Sequence, residues 1–183
     1  MAGGGGGGSA SGSSWPRNFG TAGGETTFGK SLLVAYGGEA GRADLSPMGG
    51  TGSVATSSTV TGLVIRGGSL AGPEQQLSGS AGTNPFGGNG GDGGDRSGSP
   101  NSGAGGAGGN LLGSTFSGCS GNVYLGISGN AGGYIEAVIS SPRRWYQYTI
   151  GAGGLGGQPS GSNCGVAGGN GGSGVIIIEV YFA

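Results

Sequence analysis

Gly3-Gly-Gly-Gly-Gly-Gly8 opens the chain as an unbroken run, and GG-x-GG tracts follow at 87–94, 103–109 (GAGGAGG), 151–157 (GAGGLGG) and 168–174 (GGNGGSG). Glycine occupies 54 of 183 positions. It loses more backbone freedom on folding than any other residue and brings no side chain to bury. A chain this rich in it either stays disordered or packs its bare backbone. With 7 prolines added, Gly and Pro fill about a third of the sequence, a low-complexity composition. Disordered chains, however, carry high net charge and few β-branched or aromatic residues. Here charged residues are 8% and the net charge is −1, while Gly174-Val-Ile-Ile-Ile-Glu-Val-Tyr-Phe-Ala183 is strongly apolar. Collagen is excluded too, because glycine keeps a three-residue step only briefly and proline is sparse. The expected fold is ordered: packed polyproline-II-like (polyglycine II) tracts with short β-strands, mostly irregular and β, with essentially no α-helix.

Polyproline II has three residues per turn and no internal hydrogen bonds, so a seven-residue tract would span roughly 20 Å with every amide pointing outward. Buried amides need partners. Glycine lets neighbouring extended helices approach until they bond backbone to backbone, with Cα–H···O contacts adding to the packing.

No glycine-free stretch places apolar residues at helical spacing. Strand signals recur instead at Ser31-Leu-Leu-Val-Ala-Tyr36, Thr59-Val-Thr-Gly-Leu-Val-Ile65, Asn122-Val-Tyr-Leu-Gly-Ile127, Tyr134-Ile-Glu-Ala-Val-Ile139, Trp145-Tyr-Gln-Tyr-Thr-Ile150 and Val175 to Phe182. The fourth and fifth are expected to form a hairpin around Pro142, with Tyr134, Glu136 and Val138 on one side and Ile135, Ala137 and Ile139 on the other. The last segment, continuously apolar from Val175 to Ile178, reads as buried on both faces. Tract and strand alternate throughout, so residues 1–183 are read as a single domain.

Several chemistries are disfavoured. Histidine is absent, which removes the commonest general base and metal ligand, and with it any conventional Ser-His-Asp triad. Seven basic residues spread along the chain give no nucleic-acid footprint. No run of 18 apolar residues suggests membrane insertion, and the N-terminus lacks the pattern of a signal peptide. Gly24-Glu-Thr-Thr-Phe-Gly29-Lys30-Ser31 matches a phosphate-binding loop in letters. A polar, Gly-rich stretch precedes it, though, and Leu32 to Tyr36 runs straight into Gly37-Gly38, so the strand and helix that such a loop needs are missing. Asp92 and Asp95 offer oxygen ligands for calcium, but a solvated turn beside Arg96 is the plainer reading. No carboxylate pair stands in a context that suggests glycoside cleavage. No cofactor and no metal site are expected. Cys119 and Cys164 are either two free thiols or a disulfide closing a loop of about 45 residues, worth ~4 kcal/mol by chain entropy.

The loops 9–19, 69–86, 110–120 and 158–163 have the most distinctive composition. Large side chains stand in them where small polar ones are usual: Trp15, Arg17, Asn18 and Phe19 in the first, Glu74, Gln75, Gln76, Asn84 and Phe86 in the second. The turn Arg143-Arg144-Trp145 adds three more. Aromatics and arginine are what recognition surfaces favour. The alternative is that each aromatic folds back as a cap on a glycine layer.

Three stretches carry a resemblance. Gly23-Gly-Glu-Thr-Thr-Phe-Gly-Lys-Ser-Leu-Leu-Val-Ala-Tyr-Gly-Gly38, then Gly132-Gly-Tyr-Ile-Glu136 with Tyr148-Thr-Ile-Gly-Ala-Gly-Gly154, and finally Gly168-Gly-Asn-Gly-Gly-Ser-Gly-Val-Ile-Ile-Ile-Glu-Val-Tyr181 closely resemble the glycine-rich C-terminal domain of bacteriophage tail fibres. In order and spacing the likeness covers nearly the whole chain, and the closing GGSG, four apolar residues, Glu179 and Tyr181 is its most specific part. The resemblance implies a non-enzymatic receptor-binding tip on the virion tail fibre. Its implied partners are a bacterial surface glycan or outer-membrane protein, other tail-fibre or baseplate proteins, and two further copies in a homotrimer. Loops joining the glycine tracts are the receptor-binding parts of such adhesins, which puts 9–19 first and 69–86 second. The chain departs from the pattern in having only Met1-Ala2 before its first glycine run, and in its decorated Arg143-Arg144-Trp145 turn. The rival reading is a structural protein that self-assembles into an extracellular filament or sheath. A glycan-cleaving tail enzyme is a third class, and it lacks an evident acid/base pair.

Overall fold

The computed structural model describes residues 1–7, 19–41, 52–54, 60–66, 97–106, 127–159 and 165–182. Among these there is no helix. The strands are β1 (Thr26–Phe28), β2 (Leu33–Ala35), β3 (Gly52–Val54), β4 (Val60–Arg66), β5 (Tyr134–Ile139) and β6 (Tyr148–Thr149). Apart from turns at 29–32 and 100–103 and bends around 140–144, the rest is extended chain bonded to extended chain.

Tract 1–7 lies at the centre. Its amides donate in rotation to three neighbours: Ala2 and Gly5 to Val175 and Gly172, Gly3 and Gly6 to Gly133 and Asn130, Gly4 and Gly7 to Gly24 and Thr21. Partners therefore repeat every third residue, the interval that three residues per turn imposes. The Met1 and Ala2 carbonyls accept from Ile135 and Val175, while those of Gly4 to Gly7 serve three other segments. Gly4 and Gly7 accept from Gly38 and Gly41, Gly5 from Gly154, and Gly6 from Gly106. Six tracts thus surround one.

The six also bond to each other in a closed ring. Going round, Gly23 donates to Gly38, and Asn130 and Gly133 to Glu39 and Tyr36. Gly129 and Gly132 then donate to Gly106 and Gly103, and Gly172 to Ala104. Gly168, Gly171 and Gly174 donate to Gly157, Gly154 and Gly151, and Thr21 and Gly24 close the circle on Leu155 and Ala152. These N···O distances run from 2.7 to 3.0 Å, which is good amide geometry. Donors of the central tract face antiparallel neighbours (19–24, 127–133, 168–175). Tracts 36–41 and 151–157, by contrast, run parallel to it.

Side chains follow from this packing. A Cβ built on Gly3, Gly4, Gly5, Gly6 or Gly7 would run into a backbone carbonyl of Tyr36, Ala152, Ala104, Glu39 or Leu155 respectively. Positions 3–7 of the encircled tract can therefore be nothing but glycine. Ring tracts 127–133 and 103–106 are buried throughout, but others have a face left over: in 151–157 the exposed positions are Ala152 and Leu155, in 36–41 Tyr36 and Glu39, and in 168–174 Asn170. That is why these tracts read GG-x.

At the Met1 end the tracts run into strands. Sheet order is β3-β2-β1-β6, all antiparallel, and β4 pairs with β5 through a bulge between Thr61 and Val64. The β1–β2 turn needs positive φ at Gly29 and Lys30 (65° and 62°), and the Leu32 N–H donates to the Gly29 carbonyl at 3.2 Å. The sequence that looked like a phosphate loop is this turn, with a strand rather than a helix behind it. Alternation along β5 is as expected: Ile135 is buried, Ala137 and Ile139 pack on the apolar cluster, and Glu136 and Val138 are exposed. That cluster is small: Met1, Phe28, Leu33, Ala35 and Ile135, flanked by Leu32, Val60, Ala137, Ile139, Tyr146 and Ile176. The Met1 ammonium donates to the Ile135 carbonyl at 2.7 Å. Burial pushes this amine below its usual pKa, with the Glu136 carboxylate pulling the other way.

Thr26 joins array to sheet. It is fully buried, and its Oγ1 accepts from the Gly151 N–H at 3.0 Å. Thr26→Val keeps the shape but strands that amide, so about 1–3 kcal/mol should be lost in a denaturant titration.

Two expectations are corrected. Tyr134–Ile139 and the segment after Trp145 do not form a hairpin. β5 pairs with β4, its residue Tyr134 bridges Ala2, and β6 pairs with β1. The Gly29 N–H donates to the Gln147 carbonyl, and Tyr146 stacks on Phe28 with centroids 4.6 Å apart, so this segment is pinned to β1. The C-terminal segment is not a buried strand either. It bonds to Ala2 through Val175, sends Ile176 to the cluster, and then leaves Ile177 to Phe182 exposed, because the array ends at Val175. Of the expected strand Trp145 to Ile150, only Tyr148–Thr149 pairs. Residues 122–126 and the tract 87–94 lie outside the described residues, as do Asp92, Asp95, Cys119 and Cys164.

Candidate functional site

The tract directions give the molecule two poles. Met1, β1, β2, β5 and β6 gather at one, the sheet pole. At the other end the chain leaves the array after Gly7, Gly41, Gly106 and Gly157, and re-enters it at 19–21, 127–129 and 165–168. The connections 8–18, 107–126 and 160–164 therefore all attach at this second, loop pole.

The candidate residues divide between the poles. Phe19 is half-buried where the chain re-enters the array at the loop pole. Trp15, Arg17 and Asn18 belong to the connection between Gly7 and Phe19 and lie outside the described residues. Glu74, Gln75, Gln76, Asn84 and Phe86 also lie outside them, in the stretch between Arg66, which pairs with Tyr134, and Gly98, whose N–H donates to the Asn170 carbonyl.

Arg143, Arg144 and Trp145 sit at the sheet pole, far along the tracts from Phe19. All three are exposed. The turn is held from beneath: the Arg143 N–H donates to the Tyr146 hydroxyl at 2.9 Å, and Tyr146 is stacked on Phe28. Trp145 does not fold back onto glycine; it is 75% exposed. The structure thus separates this turn from Phe19.

Sequence reasoning missed the most apolar exposed surface. Ile177, Ile178, Val180, Tyr181 and Phe182 are all exposed at the sheet pole, and Val138, Tyr148 and Ile150 belong to the same end. Glu179 stands among them and accepts from the Tyr181 hydroxyl at 2.5 Å, which raises the phenol above its ordinary pKa. The apolar run was plain in the sequence; where it goes depends on the array ending at Val175. Among the described residues, no three of His, Cys, Asp or Glu gather to hold a metal ion. No protein-family model matches the chain, and neither a curated protein nor a solved structure shows similarity to it.

Proposed function

We propose that the chain is the non-enzymatic receptor-binding tip of a bacteriophage tail fibre, carried by polyglycine II tracts and facing its receptor with the loop pole. The observation that supports this is the closed ring of tracts around 1–7, with the connections 8–18, 107–126 and 160–164 all attached at one end. Backbone bonds hold such a scaffold, so loop sequences are free to vary without costing stability. Binding would come from loop aromatics, arginine and polar groups meeting a bacterial surface glycan or outer-membrane protein. Several copies on one virion multiply a weak single contact.

Trp15→Ala is the test. Adsorption to host cells should fall while the melting temperature stays almost unchanged, and strains lacking individual surface receptors should identify the ligand. Equal loss of adsorption and stability would assign Trp15 to packing and overturn this placement of the site. A self-assembling filament or sheath is the second reading, favoured by the exposed apolar C-terminal segment. Open-ended polymers in electron micrographs, without cell adsorption, would select it.

A further inference from the structure

The sheet pole carries two unfinished halves of a strand pair. β6 is the outermost strand of its sheet, bonded to β1 on one side, and among the described residues no strand pairs with its other edge. Residues 176–182 are β-branched or aromatic apart from Glu179, join no ladder among the described residues, and expose Tyr181 at 85% and Phe182 at 94%. Such an exposed edge and an exposed apolar segment invite pairing.

We propose that residues 176–182 of one copy add as a strand to the free edge of β6 in a second copy of this chain. Three observations select a second copy as the occupant. Both halves reside on the same chain, yet its own segment is turned out to solvent rather than laid on its own β6. The charges are complementary: the segment carries Glu179, while exposed Arg143 and Arg144 precede β6. Apolar area is available on both halves. Trp145 and Tyr148 on one side and Tyr181 and Phe182 on the other are 61–94% exposed; at 150–250 Å² per aromatic they present roughly 500–800 Å² over the two sides together, a third to a half of the ~1,600 Å² total of a standard interface, and exposed Ile177, Ile178 and Val180 add to the segment's side. A net charge of −1 puts no long-range repulsion between copies. The contact is head-to-tail, so it closes into a ring if its rotation allows. It depends in no way on what the loop pole binds.

Sedimentation equilibrium of the full chain tests it. The wild type should be oligomeric at micromolar concentration. Tyr181→Ser and Phe182→Ser should each weaken association about thirtyfold, the scale of losing an interface anchor. Both residues are exposed, so their melting temperatures at monomer concentrations should not move. Glu179→Arg should weaken association several-fold, and combining it with Arg143→Glu and Arg144→Glu should restore it, since a reversed pair regains the attraction that one reversed partner loses. A monomeric wild type at 100-fold higher concentration would overturn the proposal, whether its 176–182 amides exchange freely or are protected against its own β6. An oligomer indifferent to all these substitutions would overturn it as well.

Discussion

Gly5→Ala is expected to remove about 3–6 kcal/mol of stability, a large part of the 5–15 kcal/mol that a domain possesses. The Gly5 N–H is bonded to Gly172, its carbonyl to Gly154, and its α-carbon faces the Ala104 carbonyl. Ala104 has no slack: its carbonyl accepts from Gly172 at 2.7 Å and its N–H donates to Ser102 Oγ at 3.1 Å. A methyl group at Gly5 must therefore break bonds in two neighbouring tracts or push them apart. Overpacking costs about 1–3 kcal/mol even against movable side chains, and each lost amide bond adds about 1 kcal/mol. Thermal melts should shift down by about 10–20 °C. Leu155→Ser, on the exposed face of a ring tract, should change stability by less than about 0.5 kcal/mol. If Gly5→Ala were as mild as Leu155→Ser, close backbone packing would not be what holds the array.

Ile135→Ala should cost about 3 kcal/mol, within the range for deleting a buried isoleucine. Ile135 is 1% exposed and is the largest fully buried side chain among the described residues, in a cluster where Ala35 adds little bulk. Its backbone bonds to Met1 remain in place, so the loss reports side-chain packing alone. The urea midpoint should fall with little change in slope. Val138→Ala, on the exposed side of the same strand, should leave the midpoint nearly where it was. A loss below about 1 kcal/mol at Ile135 would mean that the cluster does not close the sheet pole.

How much could be read beforehand depended on whether a signal was local. β5 was legible to the residue because Ile135, Ala137 and Ile139 alternate with polar or exposed neighbours. Glycine tracts were legible as packing material from composition. Part of their arrangement was present in the text as well: the uninterrupted run is the encircled tract, and the runs beginning at Gly103, Gly151 and Gly168 supply three of the six ring tracts. Reading that needs the knowledge that one tract has six neighbours, which no single tract reveals. β1 was missed because three residues, Thr26 to Phe28, are too short for a period to show. The hairpin was misjudged because nearness in sequence suggested a pairing with β5, whereas the segment after Trp145 pairs with β1, where Tyr146 stacks on Phe28. The C-terminal segment was misjudged for a different reason: hydrophobicity states that a segment gains by burial, not which molecule supplies the cover. For the candidate site, residue types marked out Phe19 and Arg143 to Trp145, while the pole that each occupies follows from tract direction, which the sequence alone leaves open.

The rotation of amides among three neighbours has a consequence for how such a chain can change in length. Deleting one glycine from tract 1–7 would turn every later amide by a third of a circle, away from its own acceptor and toward another tract's. Removing three would bring them back into phase. Insertions and deletions inside the array are therefore restricted to multiples of three, whereas the connecting segments can lengthen by any number, so the history of such a protein should be written in triplets of residues at its centre and in free arithmetic at its rim.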